Sequence, residues 1–93
     1  MAPQIVWAGG AARELRKLEH DIRLRVLAET RHLAMEPLPS GSRKLSGYPM
    51  HRVRVGDYRV VYQYRPENDA LVILKVAHRK DAYKKFPKFD GIL

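Results

Sequence analysis

Ninety-three residues suffice for one hydrophobic core and not for two, so residues 1–93 read as a single domain. The absence of cysteine excludes disulfides and thiolate chemistry and points to the cytoplasm, while a formal net charge of +8 at pH 7 points to an anionic partner. The charge is uneven: residues 1–42 hold six basic and five acidic side chains, and residues 43–93 hold twelve and five.

In chain order, Gln4 to Trp7 is rich in strand formers and is punctuated by Gly9-Gly10. From Ala11 the period changes, and Ala12, Leu15 and Leu18 recur among Arg13, Glu14, Arg16 and Lys17 as in an amphipathic helix. Those charges interrupt the N-terminal region before a signal-peptide core forms, and the apolar runs are too short to span a membrane. Asp21 is a candidate cap for a second helix whose apolar stripe is Ile22, Val26 and Leu33 flanked by Leu27, ending before Pro37 and Pro39. The two helices are expected to form a hairpin.

Residues 37–41 read as a loop and residues 43–49 as a basic, turn-rich connector. Three strands then follow over residues 51–55, 58–64 and 71–77, divided by Gly56-Asp57 and by Pro66-Glu67-Asn68-Asp69. The expected fold is α+β: an N-terminal strand, a helical hairpin and a three-stranded antiparallel meander in one sheet, with a short C-terminal helix or turn. The tail 87–93 carries weak structural signals.

Alternation assigns the faces. Val53 and Val55, then Tyr58, Val60, Tyr62 and Tyr64, and then Val72, Leu74 and Val76 form the apolar sets expected to face the helices. Arg52, Arg54, Arg59, Lys75 and Arg79 then share the opposite face. Guanidinium groups held there suit phosphodiesters, because each offers a planar fork of donors that matches phosphate oxygens. They also stabilise the charge that grows on phosphorus if a neighbouring 2′-hydroxyl attacks it. Arginine is a poor proton acceptor, which leaves His51, His78, Tyr83 and solvent for proton transfer. The four histidines show no ligand spacing, so neither a metal nor a cofactor is expected.

Four segments, in this order, carry a resemblance: residues 12–18 (ARELRKL), 44–47 (KLSG), 52–62 (RVRVGDYRVVY) and 76–83 (VAHRKDAY). With them the chain resembles the RelE/ParE superfamily of toxins from type II toxin–antitoxin systems, the RelE-like branch being favoured. The resemblance implies a microbial-RNase-like fold and, for the RelE branch, metal-independent cleavage of messenger RNA in the ribosomal A site. Its functional positions fall on Arg52, Arg54, Arg59, Arg79 and Tyr83, with Arg52 and Arg54 standing where lysines can occur in the best-known pattern. Arg43, Lys44, Lys75, Lys80, Lys84 and Lys85 are the further cations expected to hold RNA. The implied partners are an acidic antitoxin from a neighbouring gene, the ribosome and messenger RNA. The ParE branch shares the fold but inhibits DNA gyrase by binding, without nuclease activity.

Overall fold

The computed structural model describes residues 3–45, 47 and 49–82; the expected C-terminal helix or turn beyond Ala82 and the tail 87–93 lie outside them. Strand β1 (Gln4–Trp7) leads to helices α1 (Gly9–Arg16) and α2 (His20–Met35). Strands β2 (Arg43–Lys44), β3 (His51–Val55), β4 (Tyr58–Arg65) and β5 (Ala70–His78) follow, with a 3-10 turn at Pro66–Asn68. One sheet contains all five strands in the order β1-β5-β4-β3-β2, with β1 parallel to β5 and the other neighbours antiparallel. The fold is α+β as expected, with one strand more, because Arg43 and Lys44 pair with Arg52 and His51 instead of forming only a connector.

Local signals explain most boundaries. Helix α1 begins at Gly9, two residues before the change of period, since its first-turn amides need no intrahelical partner and Ala12 N–H donates to the Ala8 carbonyl at 2.9 Å. Starting there buries Ala11 completely. Helix α2 begins at His20, and Asp21 lies in its first turn, where a carboxylate favours the helix dipole, instead of capping it. Val26, Thr30, Leu33 and Ala34 are its buried residues, and Thr30 Oγ1 satisfies itself by donating to the Leu27 carbonyl at 2.8 Å.

The main core lies between the helices and one sheet face. Val26 and Leu33 pack over Val53, Val55, Val60, Tyr62, Leu71, Ile73 and Val76. Each fully buried large side chain contributes about 1.5–3 kcal/mol. The expected alternation holds in β3 and β4 but not in β5, where Leu71 and Ile73 replace Val72 and Leu74 on the helix side. The cause is a register shift. Val61 pairs with Lys75 while Tyr62 pairs with Ile73, so Leu74 is an extra residue in β5 and alternation restarts after it. The other face is not wholly open, because Met50 and Val61 are buried there with Leu45 and Leu74 beside them.

Candidate functional site

Residues directly opposite on neighbouring strands share a face and lie about 4.5–5.5 Å apart at Cα. Arg43 stands opposite Arg52, and Arg52 opposite Val61, which places both arginines on the face away from the helices. Arg54 stands opposite Arg59, and Arg59 opposite Ala77, in the next row of that face. Like charges in direct register oppose pairing. Two such rows stand side by side on this face, where the repulsion works against the sheet.

The β3–β4 hairpin sets this register. Gly56 takes φ +59 at the first central position of a two-residue turn, a conformation that costs glycine least. Arg59 Nη1 donates to the carbonyls of Gly56 and Tyr58 at 3.2 and 3.0 Å, which holds its guanidinium against the turn. Among the described residues the side chains of Arg52 and Arg54 make neither a hydrogen bond nor an ion pair. The ladder continues past β5, where Arg79 N–H donates to the Asp57 carbonyl at 2.7 Å, so exposed Arg79 stands beside the hairpin turn. A cleft of about 500 Å³ at the β3 edge is lined by Arg43, Arg52 and Arg54 together with Glu29 and His32 of α2 and Ser40 of the following loop. Sequence reasoning missed Glu29 and His32, whose spacing on the wet side of a helix carries no signal of its own.

Several other expected site residues lie elsewhere. Lys44 pairs with His51, and His51 with Tyr62, so both belong to the helix side of the sheet. The His51 ring lies 6.0 Å from that of Tyr62, and burial, aided by the Lys44 charge, lowers its pKa. His78 stands edge-on to Tyr58 at 5.6 Å, and its Nδ1 accepts the Lys80 N–H at 3.2 Å. Tyr58 is in register with Val55, which puts His78 on the helix side too. Lys75 is not free among the arginines, because its Nζ pairs with Glu14 Oε2 of α1 at 3.1 Å. Lys80 is exposed in the turn after β5, and Tyr83, Lys84 and Lys85 lie outside the described residues. No three His, Asp or Glu side chains among the described residues come together so as to hold a metal ion. Nor is any helix among them long and apolar enough to cross a membrane.

The family model described as "ParE toxin of type II toxin-antitoxin system, parDE" matches residues 5–83. No curated protein sequence matches the chain. Among solved structures, the archaeal RelE–RelB complex from Pyrococcus horikoshii is similar at 28% identity and a TM-score of 0.76, covering 88% of this chain and 100% of that one. A toxin–antitoxin complex from Mycobacterium tuberculosis also shows 28% identity, with a TM-score of 0.74 and coverage of 85% and 100%. A free mutant form of the E. coli toxin RelE shares the fold over 100% of both chains, with a TM-score of 0.82 at 23% identity.

Proposed function

Because the chain belongs to the ParE toxin family of type II toxin–antitoxin systems and has a RelE-like structure, we propose that it is a ribosome-dependent endoribonuclease toxin that cuts messenger RNA in the A site. The observation that carries this reading is the arginine face, where Arg52 and Arg54 stand unpartnered beside Arg43, Arg59 and Arg79. In the reaction the 2′-oxygen bonds to the adjacent phosphorus and the P–O5′ bond breaks. Fixed cations stabilise the charge that builds on the phosphorane without reorganising. Arg52 and Arg54 hold the phosphate oxygens bidentately, and Arg59 and Arg79 face the developing charge. His51 and His78 belong to the helix side, so proton transfer falls to Tyr83 and solvent.

The Pyrococcus and Mycobacterium relatives are toxin–antitoxin complexes, and we infer for this chain an acidic antitoxin from a neighbouring gene that covers the same arginines. Co-expression with that neighbour is expected to yield a stable complex. In a translating extract, Arg79→Ala is expected to slow transcript cleavage about 10²–10³-fold, the usual cost of removing one transition-state donor. Undiminished cleavage by an Arg79→Ala, Tyr83→Ala double variant would defeat the assignment. The match to the ParE model favours a second reading, in which the chain inhibits DNA gyrase by binding and cuts no RNA. Inhibition of gyrase supercoiling by the purified chain, with transcripts intact on ribosomes, would establish that reading instead.

A further inference from the structure

Arg79 reaches the arginine side of the sheet only because β5 contains a bulge. Leu71 and Ile73 face the helices, so unbroken alternation would send Lys75, Ala77 and Arg79 to the helix side as well. The extra residue Leu74 reverses this. Beyond it Val76 returns to the core, Ala77 stands opposite Arg59, and Arg79 follows on the side of Arg54 and Arg59.

Strand β1 pairs with β5 no further than Ile73, so just beyond the bulge the backbone groups on that edge need other partners. Here the partner comes from a helix 62 residues away in sequence. The Val76 N–H donates to Glu14 Oε1 at 2.8 Å, while Glu14 Oε2 takes the Lys75 ammonium at 3.1 Å. One carboxylate of α1 thus grips two consecutive residues of the bulged segment. Pairing with β1 has already ended at Trp7 and Ile73, and the Ala8 N–H on the Ile73 carbonyl is the last backbone bond before α1 begins. From there to Arg79, the contact between α1 and β5 includes this carboxylate.

The geometry points to Glu14 as a positioning residue for Arg79, acting through the β5 bulge and not by touching RNA. This role rests on the nuclease reading above. It separates Glu14 from an ordinary ion pair, since the half-buried Lys75 contact alone would hold a side chain and not the backbone. The backbone contact instead fixes the phase of the strand that delivers the arginine.

The test is a double-mutant cycle on single-turnover cleavage of ribosome-bound transcripts, with hydrogen exchange at the Val76 amide as a second readout. Glu14→Ala is expected to lower kcat by about 100-fold, the scale of an ångström-level misplacement of a catalytic group, with KM for the ribosome complex little changed. Combined with Arg79→Ala it should cause no further loss, because both changes remove the same contribution. Glu14→Gln keeps a carbonyl oxygen for the Val76 amide and is expected to recover most of the rate and the exchange protection that Glu14→Ala loses. If Glu14→Ala does not fold, Glu14→Asp, whose carboxylate is drawn back by one carbon, is expected to show the same non-additive loss. Losses that multiply in the double variant, or a protected Val76 amide in Glu14→Ala, overturn the positioning role and leave the nuclease reading standing. A wild-type chain that cuts nothing removes the nuclease reading, and this role with it.

Discussion

Tyr62 ties the sheet to the loop that leads into the arginine face. Its ring is fully buried in the main core, and its hydroxyl donates to the Pro37 carbonyl at 2.6 Å. Burial raises the phenol pKa, partly offset by a hydrogen bond with Ser42 and reinforced by the Glu29 carboxylate. Glu29 and Arg43 both line the cleft, and Pro37 lies between them in the chain, so this hydroxyl fixes the segment that joins two of its walls. Tyr62→Phe keeps the ring and deletes the bond, leaving a carbonyl short of its donor. The expected cost is about 1–2 kcal/mol, read as a lower urea midpoint with an unchanged slope. An unchanged midpoint would mean that water replaces the hydroxyl at no cost.

Among the elements, the β3–β4 hairpin was legible in the sequence with its faces, whereas β5 was legible as a strand but not in its faces. The reasons are local. Val53, Val55, Val60 and Tyr62 alternate cleanly with arginines, and Gly56-Asp57 supplies the turn chemistry that fixes their register. In β5 both alternating sets are apolar up to Leu74, so periodicity could not choose between them. The feature that decides, the bulge, is gripped by Glu14 from a distant helix and leaves no glycine or proline as a mark. Strand β2 was equally silent, because two residues pair only when an edge is already there to receive them. Three of the catalytic candidates therefore lie where alternation put them, and Arg79 arrives on their side by a route the sequence does not show. The hairpin's dependence on Gly56 is testable. A Cβ at that position would meet Arg25 Nη1 of α2 at 3.2 Å as well as adopting an unfavourable φ, whereas one at Gly41 would meet nothing within 4 Å. Gly56→Ala is expected to cost about 1 kcal/mol, lowering Tm by about 4–8 °C, and Gly41→Ala to leave it nearly unchanged. Equal shifts for the two variants would show that the turn does not depend on its left-handed residue.

At the scale of the whole molecule, the excess charge of the second half is concentrated by the fold. The helices carry nearly balanced charge, while strands β2, β3 and β4 gather Arg43, Arg52, Arg54 and Arg59 onto one face. A face of this kind attracts any polyanion through release of counterions, and the number of contacts is readable from salt dependence. For single strands the slope of log affinity against log salt changes by about 0.7 for each phosphate contact. Replacing Arg52 and Arg54 together by alanine is therefore expected to flatten the slope for a short single-stranded RNA by about 1.4. Arg31→Ala, on the exposed surface of α2, is expected to leave it unchanged. Fluorescence anisotropy between about 50 and 200 mM salt covers the range in which such contacts matter most. If Arg31→Ala flattens the slope as much as an arginine-face substitution does, the attraction belongs to net charge alone and the sheet is not the RNA footprint. A flattening confined to Arg52 and Arg54 ties the charge asymmetry of the sequence to one surface of the fold, the surface on which cleavage is proposed.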